Sequence, residues 1–132
     1  PRITTYGSDV TLVGSGHSSL LLRNCEKELR TNNISPEIID IRILNPLNVD
    51  EIIKSVRKTR NLVVVDSGTL TGGFSGEIIA SVVEKLEVKC LKHPPVRIAL
   101  PDAPAPTSST LEDVYYVKTN EIISTIKRIL KK

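Results

Sequence analysis

The sequence predicts an α/β fold: a mixed, mostly parallel five-stranded sheet with helices on both faces, giving three layers (α/β/α). Three observations predict it. Short β-branched runs alternate with amphipathic stretches along the whole chain, the pattern of strands joined by right-handed crossover helices. One run, Leu62 to Val65, is apolar without interruption, as in a strand covered on both faces. The exception to the alternation is at the front. Two β-prone runs, Ile3 to Tyr6 and Val10 to Val13, are separated only by the turn cluster Gly7-Ser8-Asp9, which reads as a hairpin and makes the first strand antiparallel.

The remaining elements follow in order. Ser18 to Leu29 carries Leu21, Leu22, Cys25 and Leu29 on one helical stripe, with Arg23, Asn24, Glu26 and Lys27 opposite, and Asn32-Asn33 ends it. Ser35 to Ile43 is a strand opening at a proline, broken at Asn45-Pro46. Leu47 to Arg57 is helical, with Asp50 and Glu51 in a first turn where the helix dipole favours acids. After the strand at Leu62 comes a glycine-rich loop, then a helix over Glu77 to Leu86. Val96 to Leu100 is the last strand, introduced by Pro94-Pro95. Pro101 to Ser109 holds three prolines and reads as a surface arm, and Thr119 to Leu130 closes the chain as an amphipathic helix. Residues 1–132 form one domain, with no internal repeat.

Composition excludes several functions. Aromatic residues are 3% of the chain and tryptophan is absent, which leaves an aliphatic core and no stacking platform for single-stranded nucleic acid. The net charge of +3 sits largely in a basic tail, Lys127, Arg128, Lys131 and Lys132, which reads as a solvated helix face and not a nucleic-acid footprint. Cys25 and Cys90 have no metal-like spacing and read as reduced thiols of a cytoplasmic protein. No apolar run approaches the roughly 20 residues of a membrane helix.

Two glycine loops could carry function. Gly14-Ser15-Gly16-His17-Ser18-Ser19 follows a strand and falls one small residue short of a dinucleotide fingerprint. Read functionally, Gly14, Gly16 and His17 approach a pyrophosphate, and Asp40 at the end of the next strand takes the ribose. Read structurally, the loop is a tight strand-to-helix turn capped by Ser18 or Ser19. The second loop, Asp66 to Gly76, has four glycines within nine residues but no lysine after them, and Glu77 stands where a nucleotide cradle needs a cation. Thr71 is the candidate cap, and Phe74, the chain's single phenylalanine, is an aromatic suited to packing against a neighbour. No catalytic set is legible: His17 has no nucleophile placed to partner it, His93 precedes two prolines, and Asp66 and Asp102 at strand ends read as caps and loop anchors.

The ordered motifs V-T-L-V-x-x-G (Val10 to Gly16), I-I-D-I-R-I-L-N-P-L (Ile38 to Leu47), L-V-V-V-D-S-G-x-x-T-G-G-F-S-G-E-I (Leu62 to Ile78) and P-V-R-I-A-L-P-D-A-P-A-P (Pro95 to Pro106) resemble the transketolase C-terminal domain. The form they resemble most is that of the β subunit of the thiamine-diphosphate-dependent component of 2-oxo-acid dehydrogenases. The resemblance implies a parent oxidoreductase or transferase using thiamine diphosphate and Mg. It also implies that this domain supplies subunit contacts, not catalytic residues. By position, Thr71, Gly72, Gly73, Phe74 and Glu77 then lie at a subunit interface, with Pro101, Asp102, Pro104 and Pro106 in an arm beside them. Implied partners are further copies, the missing pyrimidine and pyrophosphate domains, and an acyltransferase core. The chain, starting at Pro1, is then a fragment or split subunit that is inactive alone. The alternatives are a stand-alone nucleotide module using Gly14 to Ser19 with Asp40, and a structural domain with no ligand.

Overall fold

The computed structural model describes the backbone of residues 1–132 and every side chain except that of residue 113. Ten elements follow one another: β1 (Arg2–Thr5), β2 (Val10–Gly14), α1 (His17–Thr31), β3 (Pro36–Asp40), α2 (Asp50–Thr59), β4 (Leu62–Thr69), α3 (Phe74–Val83), β5 (Val96–Leu100), α4 (Ser109–Tyr115) and α5 (Thr119–Leu130). The strands form one sheet in the order β1-β3-β2-β4-β5. β1 is antiparallel to β3, and every other pairing is parallel.

Alternation along each strand divides the core in two. Val10, Leu12, Ile38, Val63 and Val65 face Leu22, Cys25 and Leu29 of α1 and Ile122, Ile126 and Ile129 of α5. Val13, Ile39, Leu62 and Val64 face Ile52, Ile53 and Val56 of α2 and Ile78 and Val82 of α3. Helices therefore cover both faces, as the uninterrupted apolar strand requires.

The first strand is antiparallel as its sequence predicts, but it is not half of a hairpin with β2. β3 lies between them. The turn cluster binds that inserted strand: the amides of Ser8 and Asp9 both donate to the Ser35 carbonyl (3.1 and 2.8 Å), and the Asp9 carboxylate accepts the Ser35 amide at 2.7 Å. At Gly7 a Cβ would sit 2.2 Å from the Pro36 oxygen, so glycine is needed for close approach, not for a hairpin turn. Turn chemistry fixed the reversal of direction. The pairing was decided by β3, whose Ile38 and Ile39 reach both cores.

Boundaries moved for local reasons. β3 stops at Asp40, and a cis Asn45–Pro46 bond lies in the loop that follows. α2 begins at Asp50, not Leu47; the Asn48 side chain accepts the Asp50 amide at 2.9 Å. β4 continues through Asp66, Ser67 and Gly68 to Thr69, and α3 begins at Phe74, three residues ahead of Glu77. α4 is announced by no hydrophobic periodicity; the Ser108 hydroxyl caps it by accepting the Leu111 amide at 3.2 Å.

Candidate functional site

The carboxyl ends of the parallel strands bring the two glycine loops together. α1 leads from β2 toward β3, whereas β4 leads on to β5 in the other direction, so the connections diverge between β2 and β4. In doubly wound sheets such a divergence opens a crevice. Here it is a cavity of about 290 Å³ walled by His17, Ser18, Leu21, Asp66, Ser67, Leu100, Tyr116 and Val117.

Its two serines and its carboxylate are committed to the fold. The Ser18 and Ser67 hydroxyls bond each other at 3.0 Å. One Asp66 oxygen accepts the Gly68 amide at 2.9 Å and the other the Ser75 amide at 2.8 Å. The second bond satisfies a donor in the first turn of α3, so Asp66 caps that helix from the preceding strand. Thr71, the cap expected from the sequence, does not perform this role. Ser18 and Ser19 do not cap α1 either: no side chain caps that helix, and both serines are buried. The reason is proximity. A Cβ on Gly14 would lie 3.0 Å from the backbone of Ser18 and Ser19, so only small residues fit between α1 and the sheet. Asp40 is not part of the crevice; it pairs with Arg42 at 3.6 Å. Gly14 and Asp40 are register partners on neighbouring strands, but the crevice opens on the β4 side of β2 and Asp40 does not line it. Among the described residues no hydrogen-bonded serine–histidine or carboxylate pair lies in the crevice. Thiamine diphosphate with a divalent cation does not fit it: its single carboxylate is spent on two backbone amides, and the described residues hold no group of three His, Cys, Asp or Glu suited to a metal ion.

Beside the crevice the second loop is held rather than free. The Thr71 amide and hydroxyl donate to the Asp102 carboxylate at 2.9 and 2.5 Å. These bonds, with the Arg97 charge, hold the Asp102 carboxyl below the usual aspartate range. Arg97 donates to the Leu70 carbonyl at 2.6 Å. Gly72 takes φ of 73°, and a Cβ on Gly73 would fall 2.0 Å from the Thr69 oxygen; both positions require glycine. Phe74 is half-buried against the second core, and Glu77 is exposed, accepting a bond from the Ser81 hydroxyl at 3.3 Å. Pro101, Pro104 and Pro106 form one wall of a shallow apolar groove whose other wall is Leu111, Val114 and Tyr115 of α4. The Tyr115 hydroxyl ties the helix to the arm through the Ala103 carbonyl at 2.9 Å. Sequence reasoning did not find this helix or the Tyr116 wall; the run Ser108 to Glu112 was the available signal, a capping serine ahead of an acid.

Large apolar side chains left in water gather at this end. Leu20, Ile43, Leu44, Leu70, Leu111, Val114 and Tyr116 are exposed here, Val114 by 83% and Leu111 by 60%. Tyr6, Val83 and Val88 lie elsewhere.

Fold and site together define a doubly wound α/β domain whose strand-end face carries exposed apolar side chains and a clamped glycine loop. Residues 2–122 match the family described as "Transketolase, C-terminal domain", and the chain belongs to that family. It is 33% identical over 134 residues to the mitochondrial pyruvate dehydrogenase E1 component subunit beta of Dictyostelium discoideum, covering 99% of this chain and 36% of that protein. It is 34% identical over 128 residues to the pyruvate dehydrogenase E1 component subunit beta of Rickettsia felis, covering 97% and 39%. The chain thus spans little more than a third of these relatives. Among solved structures, "Split gene transketolase, inactive beta4 tetramer" superposes with a TM-score of 0.76 at 20% identity, covering 98% of this chain and 40% of that one. A 2-oxoglutarate:ferredoxin oxidoreductase from Magnetococcus marinus superposes with a TM-score of 0.64 at 13% identity, covering 98% and 20%. Both agree with the mixed five-stranded α/β fold.

Proposed function

We propose that this chain is the assembly domain of a thiamine-diphosphate-dependent enzyme, of the 2-oxo-acid dehydrogenase β-subunit or transketolase type. It supplies subunit contacts, while cofactor and substrate are held by pyrimidine- and pyrophosphate-binding domains elsewhere. The observation that carries this reading is the apolar strand-end face. Large exposed apolar side chains gathered at one end of a sheet mark an interaction surface, and the Asp102–Thr71 clamp and Tyr115–Ala103 tie hold the loop and helix that carry several of them. Thr71, Gly72, Gly73, Phe74, Glu77, Asp102 and Pro104 lie in or beside that face and are its proposed contact residues. Phe74 contributes as a half-buried aromatic.

The names of the relatives support the reading: two are component subunits, and the structural neighbour is described as an inactive tetramer. No described helix is long and apolar enough to cross a membrane. Sedimentation of the purified chain, alone and with the separately expressed pyrimidine- and pyrophosphate-domain polypeptides of its parent, is the test. Concentration-dependent self-association or a stoichiometric complex, without 2-oxo-acid turnover by the chain alone, is expected. A strict monomer that ignores those polypeptides, or turnover by the chain unaided, defeats the reading.

A further inference from the structure

The opposite end of the sheet has a different character. At the amino ends of the parallel strands lies a cavity of about 540 Å³, a volume in the range of small-molecule sites. Four lysines from three separate parts of the chain converge on it: Lys58 at the end of α2, Lys92 in the loop before β5, and Lys131 and Lys132 after α5. His93 adds an imidazole, and Asp9 is the single acidic side chain in the lining. The buried floor is polar too, formed by Thr59 and Asn61.

Helix dipoles account for part of this charge. The carboxyl ends of α2 and α5 point here, and cations there are ordinary. That covers Lys58, which also pairs with Glu37, and Lys131 and Lys132, the latter near Asp9 at 4.0 Å. It does not cover Lys92, which lies in no helix. Lys92 and Lys131 have no ion-pair partner among the described residues. The loop presenting Lys92 is also clamped. Arg57 makes a two-bond pair with Glu87 (3.2 and 2.9 Å), Arg60 donates to the carbonyls of Cys90 and Lys89 (3.0 and 3.2 Å), and the Lys92 amide donates to the Arg60 carbonyl at 2.9 Å. A lysine that only needed solvent would not require such fixing.

We propose that this cavity is an anion site taking a phosphate-bearing small molecule. A lysine ammonium is a point charge suited to phosphate. A di- or trianion engages several of them at once, where a monocarboxylate engages one. In α/β sheets the usual ligand crevice is at the other end; here charge and preorganisation make the case. The site is separate from the assembly face, so either can fail without the other.

The test is an amide-resolved NMR titration of the 132-residue chain with inorganic phosphate and with pyrophosphate, at constant ionic strength, against chloride. Saturable shifts at Ser8, Asn61, Lys92 and Lys131 are expected, with pyrophosphate the tighter probe. The exposed pair Lys92→Gln and Lys131→Gln should weaken pyrophosphate about tenfold or more and leave the unliganded spectrum otherwise unchanged. Shifts that chloride reproduces, equal binding by the double variant, or binding of a duplex oligonucleotide with pyrophosphate silent would each overturn the proposal.

Discussion

Two residues show how environment sets chemistry one side chain at a time. The Cys25 thiol is buried against α5, and burial, with the Glu28 charge adding to it, pushes its pKa up to about 11. The thiolate is the reactive form, so at pH 8 iodoacetamide should modify the half-exposed Cys90 and spare Cys25 until denaturant is added. Mass spectrometry of a time course checks this; equal rates at both sites contradict it. Glu37 is only 1% exposed, in the middle of the sheet. Burial by itself raises its pKa, but bonds from Lys58 (2.5 Å), Ser55 and the Gly7 amide, with the Lys58 charge, outweigh that and leave it below its ordinary value of 4.5. A carboxyl with a depressed folded pKa stabilises the fold above its unfolded pKa. That contribution fades as pH falls below 4.5 and through the folded value. Lys58→Met strands the buried carboxylate and should cost about 3 kcal/mol near neutral pH, measured by urea unfolding, with a smaller loss remaining in acid. Unchanged stability at pH 7 would remove Glu37–Lys58 from the account. The pair escaped sequence reasoning because a glutamate in a β-branched run reads as a solvent-facing position. Only the inserted place of β3 buries it.

At the scale of elements, the join between β4 and α3 is the informative one. Its glycines read as a loop because glycine breaks regular structure locally, yet the stretch opens as strand, Asp66 to Thr69. Pairing of Thr69 with Leu100 of β5 supplies the extension, and Asp66 reaches forward from the strand to cap the helix. Local sequence could name Asp66 as an anchor but not its target, nine residues on. Asp66→Ala leaves the Gly68 and Ser75 amides without their acceptor and should destabilise by about 1–2 kcal/mol. Hydrogen exchange should rise first in the initial turn of α3 and at the end of β4. Faster exchange spread evenly over the sheet, or none, would speak against a cap.

Across the whole molecule, the two ends of the sheet divide its surface chemistry. Exposed apolar side chains crowd the carboxyl ends and lysines the amino ends. If the apolar end is the assembly face, Leu111→Glu with Val114→Glu should abolish association while leaving the far-ultraviolet spectrum and melting temperature nearly unchanged, since both side chains are already in water. Association that persists in sedimentation places the contacts elsewhere.

The sequence by itself determined the fold class, the number of strands, the direction of the first, and both amphipathic helices that build the α1–α5 core. Each depends on periodicity or a turn within a few residues, and a span that short already carries the physics. Tertiary structure alone decided that β3 enters between β1 and β2, that Glu37 is buried on Lys58, that Asp66 rather than Thr71 caps α3, and that Asp40 stands apart from the crevice. Those outcomes depend on which distant backbone comes alongside, and side-chain patterning along one segment does not encode its neighbour.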